Sequence, residues 1–243
     1  MASALIQRQV ALIVAAPNAN AARAAKGAAG AIPVLFIVSD DPTKFGLVAS
    51  LNRPGGNTTG VNFVISELVG KRLGLLHELL PDAARVGALV NPSATTTEAF
   101  VRDLTASAST IGISLDIVPA RDRREIEEAF ATFARNKVNA LMVAPDTFFA
   151  NTRLLIVDLA TRYAIPTIYT VRSYVDGGGL ISYGPSQETS YRQLAIYAGR
   201  ILKGEKPADL PVVQSSKLDL IINLRTAKAL SLTVPPTLLV DQI

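Results

Sequence analysis

The chain has 243 residues, 49% of them hydrophobic, and its 24 Lys and Arg against 20 Asp and Glu leave a formal net charge of +4. That apolar content fills one large core or two smaller ones, and the absence of Cys excludes disulfides, thiolate nucleophiles and Cys-bound metals. The basic residues are scattered singly or in pairs such as Lys71 and Arg72, with no stripe interleaving aromatics and Arg, so they read as a solvated face and give no nucleic-acid surface.

In chain order, the patterning predicts a strand over Gln9–Ala15, an Ala-rich helix over Asn18–Ala29, a strand over Pro33–Val38 and a short helix near Thr43–Ser50. A strand over Thr59–Phe63 and a helix over Ser66–Leu80 follow. Between the short helix and that strand, "GGNTTG" at 55–60 lacks the Gly-Lys-Ser/Thr of a phosphate loop, and Gly55 with Gly56 reads as a turn that needs positive φ.

After Pro81 the pattern restarts. Strands are predicted over Arg85–Asn91, Ser114–Pro119, Ala140–Ala144 and Pro166–Thr170, with helices over Thr96–Ile111, Arg123–Asn136 and Thr147–Tyr163 between them. Four strands with three intervening helices make a doubly wound unit. Then come the loop "VRSYVDGGG", a strand over Leu180–Tyr183, a helix over Gln187–Leu202, "VVQSSKLDLIINL" alternating as a hairpin, and a closing helix in "RTAKALSL". Short apolar runs alternating with helix-period stretches give the fold class α/β, with parallel strands joined by crossover helices.

No apolar stretch reaches the roughly 18 residues of a spanning helix, so no membrane insertion is expected. The N-terminus carries parts of a secretory leader, namely an early Arg, an apolar stretch from Val10 to Ala16 and an A-x-A at Ala19 to Ala21. The stretch is as short as a buried strand, and is read as one.

Ligands of such folds bind outside the carboxyl ends of strands. Four places there carry polar groups: Ser39, Asp40 and Asp41; Asn91, Ser93, Thr95 and Thr96; Asp146 and Thr147; and Tyr169, Thr170 and Ser173. Each is open to two readings, a helix N-cap or a ligand contact. Asp40 and Asp41 have no further acid at metal-ligand spacing and read as a cap plus one ammonium or hydroxyl contact. Phe148 and Phe149 read as the buried start of a helix, and His77, the sole His, as a surface or lobe-facing helix residue. The chain has no G-x-S-x-G elbow and no H-E-x-x-H pair, so no catalytic set, metal or cofactor is assigned.

The segments "IPVLFIVSDDPTKFGLVASLNRPGGNTTGVNF", "KRLGLLHELLP", "VGALVNPS", "VAPDTFF", "ISYGPS" and "YAGRILKGEKPADLPVVQSSKLDLIINLRTAKALSLTVPPTLL" resemble the ABC-transporter substrate-binding protein family, which has the type I periplasmic binding fold. The likeness runs from near Arg8 to the last few residues. It implies two Rossmann-like lobes with parallel sheets that close on a small organic solute, an amino acid or related carboxylate, for delivery to an ABC permease and its ATPase. Residues 1–62 with 172–206 would form the first lobe, and 63–171 with 207–243 the second. The family's cleft segments map to Ser39 and Asp40 in the first lobe, to Asn91, Ser93, Asp146 and Thr147 in the second, and to Tyr183 near the return crossing.

The resemblance also implies a periplasmic, non-catalytic protein without cofactor. Family members begin with a leader, a strand, a helix and a strand, whereas this chain starts where their second helix ends, so the first lobe is expected to lack that piece. Expressed as given, without a convincing leader, the chain would be cytoplasmic. Its first-lobe sheet edge would lie open, a route to oligomers. Two alternatives stand beside this reading: a sensor domain of the same fold, as in lac repressor-type regulators, and a small α/β enzyme such as a racemase. The regulators carry a helix-turn-helix and the racemases a Cys pair, and neither is in this sequence.

Overall fold

The structure is a computed structural model and describes residues 2–16, 18–39, 41–63 and 68–239. Asp40, one of the expected site residues, lies outside them. The chain divides into two compact units, Met1–Val64 with Pro185–Lys217 and Ile65–Gly184 with Leu218–Ile243.

The first unit is built on a four-stranded sheet. Its strands are β1 (Ile13–Ala15), β2 (Val34–Val38), β3 (Thr58–Phe63) and β9 (Val213–Ser215), in that spatial order and all parallel. Every residue of β2 is buried, as a strand covered on both faces must be. Val34, Phe36 and Val38 pack with Ala19, Ala22, Ala25 and Ala29 of helix α2 (Ala19–Ala29), while helix α9 (Gln187–Leu202) packs on β2 and β3. The Ala stripe lets α2 lie close to the sheet, and Asn18 caps it by accepting the amide of Ala21 at 2.8 Å.

The second unit is larger. Strands β4 (Arg85–Val90), β5 (Ser114–Pro119), β6 (Ala140–Val143), β7 (Thr167–Tyr169), β8 (Ile181–Pro185) and β10 (Leu218–Ile222) form one sheet in the order β10-β8-β7-β6-β4-β5. The pairs from β8 through to β5 are parallel.

Alternate residues feed opposite cores, the direct consequence of the two-residue strand period. Val86, Ala88 and Val90 of β4, with Ala140 and Met142 of β6, pack against helices α3 (Val69–Leu79) and α4 (Thr97–Thr110). Leu89, Leu141 and Val143 pack instead with Phe130 and Phe133 of α5 (Arg123–Arg135) and Ile156 and Leu159 of α7 (Arg153–Arg162).

Several local expectations change, each for a physical reason. The strand at Gln9 starts only at Ile13, because Gln9 turns with φ 52 after a short helix α1 (Ala2–Gln7). The helix near Thr43–Ser50 is a series of turns: the Asp41 carboxylate takes the amides of Thr43 and Lys44, and Gly46 sits at φ 68. The long helix after β6 divides at Thr152 into α6 (Thr147–Asn151) and α7, with the Thr152 hydroxyl donating back to the Phe148 carbonyl at 2.8 Å. "RSYVD" forms a short helix, α8 (Arg172–Asp176). Gly55 and Gly56 do take positive φ, 65° and 76°.

The alternating segment after Val212 is no hairpin, since β9 pairs β3 in one sheet while β10 joins the other. The same pairings set the unit boundaries. Because β8 is hydrogen-bonded to β7, the chain leaves the second unit after Gly184 rather than near residue 171, and because β9 pairs β3, residues 207–217 belong to the first unit.

Candidate functional site

In the second unit the carboxyl ends of β4, β6, β7 and β8 lie along one border of the sheet, since those strands run in parallel. After β4, Asn91 is 8% exposed and holds its own turn: its Oδ1 accepts the amide of Ser93 at 3.0 Å, and its carbonyl accepts the amide of Ala94 and the hydroxyl of Thr97. Ser93 is left exposed at the tip. After β6, Asp146 is the N-cap of α6, its Oδ1 accepting the amide of Phe149 at 2.9 Å, and Thr147 opens the helix.

The two turns are joined, because the Thr96 hydroxyl donates to the Pro145 carbonyl at 3.4 Å. The structure therefore brings Asn91, Ser93, Asp146 and Thr147 together on neighbouring turns. Only one oxygen of Asp146 is engaged among the described residues. The half-buried carboxylate keeps the other for a cation or a hydroxyl donor.

The residues that follow β6 and β7 include four aromatics, which pack in the core. Phe149 is fully buried in the core and Phe148 partly so, in line with the sequence reading. Tyr169 at the end of β7 and Tyr174 in α8 are stacked with ring centroids 4.5 Å apart. Burial pushes both phenols well above the usual tyrosine range, and for Tyr174 the nearby Tyr169 and the charge of Asp146 push further while Arg153 opposes them. Both are neutral packing groups at physiological pH.

The remaining expected residues fall elsewhere. Ser39 is half-buried at the carboxyl end of β2 in the first unit. Asp41 spends one oxygen on the amide and hydroxyl of Thr43 and the amide of Lys44, and these bonds, the hydroxyl's foremost, hold its carboxyl below the usual range. Tyr183 sits in β8, two strands from β6, and what the structure gives it is a backbone role: its carbonyl accepts Nε of Arg72 at 2.7 Å.

Arg72 is the residue the sequence reading misplaced. Expected on a solvated face with Lys71, it is 1% exposed while Lys71 is exposed. It stands on the buried stripe of α3, between Val69 and Leu76. A helix-period count could have found it, since position 72 falls where an apolar residue belongs. Its burial pulls the guanidinium down to about 10, with the neighbouring Tyr183 acting in the opposite direction. His77, on the same helix, is half-buried.

A cavity of about 140 Å³ lies in the second unit, lined among others by Val157, Ile165, Thr167, Gly179, Leu180 and Thr226. Thr167 begins β7 and Leu180 precedes β8, so this cavity is at the amino ends of those strands, opposite the polar turns.

Comparison with known proteins gives a consistent picture. A family model described as ABC transporter substrate binding protein matches residues 1–242. The crystal structure of the ABC domain in complex with L-Trp from Streptococcus pneumonia is 27% identical, with a TM-score of 0.84, covering 99% of this chain and 80% of that one. A conserved domain protein from Vibrio cholerae is likewise 27% identical, with a TM-score of 0.82 and the same coverages. Among curated proteins, the Tyrosine-binding protein of Clostridioides difficile is 28% identical over 220 residues, 90% of this chain. The chain spans 63% of the length of that relative.

Proposed function

The chain belongs to the ABC transporter substrate-binding protein family, and from that premise we propose that it is the solute-binding component of an uptake system whose solute is an amino acid or a related carboxylate. The observation that carries the reading is the polar set on the joined turns after β4 and β6, at the strand ends where α/β sheets take ligands. Asp146 meets the solute's ammonium with its spare oxygen, and Asn91, Ser93 and Thr147 supply neutral hydrogen-bonding groups. Ser39 and Tyr183 complete the proposed contacts, and Asp40 is retained as a proposed contact from the sequence alone. The set orients and holds; no nucleophile with a base beside it stands among the residues proposed, so the solute is bound and released unchanged.

Delivery to a permease and ATPase and a periplasmic location are inferred from the family. The edge strand β1, with Val14 53% exposed, is where a second copy would pair. Light scattering that shows a monodisperse monomer overturns that part.

Calorimetry against the twenty amino acids and a set of short carboxylates tests the reading. A solute that binds only the folded state at a hundred times its Kd stabilises it by about 2.7 kcal/mol, which for a chain of this size raises Tm by roughly 5–10 °C. Aromatic amino acids come first, because one similar structure holds L-Trp and one relative is named for tyrosine. If no solute raises Tm, the reading falls.

A further inference from the structure

A buried charge normally has a partner, because removing an ion from water is costly unless an opposite charge or several hydrogen bonds replace the hydration. Arg72 breaks this rule. Both terminal nitrogens of its guanidinium are shut from solvent and, among the described residues, have no hydrogen-bond partner, while Nε is engaged on the Tyr183 carbonyl. No Asp or Glu forms an ion pair with it among the described residues.

Its place is specific. The guanidinium lies at the carboxyl end of β8, where a Cβ built on Gly184 would stand 3.6 Å from Nη2 of Arg72 and 2.0 Å from the Thr170 carbonyl. The Thr170 carbonyl follows the end of β7. The free nitrogens therefore sit at the same border of the sheet as the turns after β4 and β6, on the other side of β7 from them.

We propose that the two terminal nitrogens of Arg72 form the anion subsite of the second unit and take the carboxylate of the solute as a bidentate pair. This rests on the reading of the protein as a binder of amino acids or related carboxylates. A planar fork with two parallel donors matches a carboxylate in shape as well as charge. The division of labour follows: Asp146 selects the ammonium and Arg72 the carboxylate, so the solute is read at both charged ends. The carbonyl of Tyr183, by taking Nε, fixes the plane of the fork and leaves the two terminal nitrogens for the carboxylate.

The test uses the whole chain and four variants of the probe: L-tryptophan, L-tyrosine and the carboxamide of each, titrated calorimetrically into wild type, Arg72→Met and Arg72→Lys. The wild type should favour each acid over its amide by at least about tenfold. Arg72→Met, which keeps the stem and removes the charge, should lose about ten- to a hundredfold in affinity for the acids, bind acid and amide alike, and keep the wild type's melting temperature without solute. Arg72→Lys should recover part of the preference for the acid. Should the Met variant melt lower, the Lys variant carries the comparison through the acid-to-amide ratio alone.

Equal binding of acid and amide by the wild type, or an unchanged preference in Arg72→Met, overturns the subsite while leaving the function standing. A wild type that responds to none of the amino acids overturns the proposed function, and the subsite with it.

Discussion

Asp41 after β2 in the first unit and Asp146 after β6 in the second both follow strands, and their turns leave them in different conditions. Asp41 is engaged by its own turn at both oxygens, one taking the amide and hydroxyl of Thr43 and the amide of Lys44 and the other lying 4.0 Å from the Lys44 ammonium. Asp146 gives one oxygen to Phe149 and, among the described residues, keeps the other. The sequence pattern is the same; what differs is the next few residues. A Pro and a Thr directly after Asp41 fold the chain back onto the carboxylate, whereas Thr147-Phe148-Phe149 commits the backbone to a helix that needs one cap only. A polar strand end is thus a candidate contact only when the local turn leaves something unspent, and in the second unit Asp146 and Arg72 both do.

The largest expected effect comes from Gly184→Ala, which forces a methyl to within 2.0 Å of the Thr170 carbonyl and so spreads β7 from β8 where Arg72 lies. A loss of roughly 3 kcal/mol should lower Tm by roughly 6–12 °C in a thermal melt. A change below two degrees means this border of the second unit is loose, and the comparison loses its rigid half.

Next is the pH dependence of Arg72. Its folded proton affinity, about 10, lies below the ordinary arginine range, so the unfolded chain holds this proton more tightly. The buried charge therefore opposes folding at full strength below about pH 10, and stability recovers as pH rises through the folded value toward the unfolded one. Arg72→Met should therefore be at least as stable as wild type between about pH 6 and 9, and the difference should shrink in denaturant titrations above pH 10. A difference that grows with alkalinity contradicts the assignment.

Asp146→Asn keeps an N-cap, because Asn caps as well as Asp, and removes only the charge. Melting should change little, while affinity for an amino acid falls about tenfold, roughly 1.4 kcal/mol. The smallest effect belongs to Asp41→Asn. With its carboxyl held low by Thr43, Asp41 contributes stability that is complete above the ordinary Asp range and fades as pH falls through its folded value. In so exposed a turn this is a few tenths of a kcal/mol, visible as wild type losing its small advantage over the variant on acidification, with solute affinity unchanged. If Asp41→Asn weakens binding as much as Asp146→Asn does, the contrast between the two turns is broken.

Much of the fold was legible. Alternating apolar runs and helix-period stretches gave the parallel α/β architecture, and β5 and α9 fall on their expected residues. The turns after β4 and β6 were legible too, because Asn, Ser, Asp and Thr at strand ends have few roles open to them. What was lost depended on partners far along the chain. Nothing in "VVQSSKLDLIINL" says that its two halves go to different sheets, since alternation reports a half-covered strand and not which strand lies beside it. Tyr183 was expected as a ligand contact, and the bond from Nε of Arg72 to its carbonyl, 111 positions along the chain, had no sign in the local pattern.

By itself, then, the sequence determined the class of fold, most of its strands and long helices and the polar groups at their ends, because these follow from local periodicity and from what each side chain can bond. The tertiary structure alone decided the assignment of β8 and β9 to their units and the burial of Arg72. Strand pairing joins residues more than a hundred positions apart, as in β3 with β9, and the guanidinium of Arg72 meets the carbonyl of Tyr183 across a similar separation. A local pattern carries no record of such distant neighbours, and it is they that strip a charge of its water.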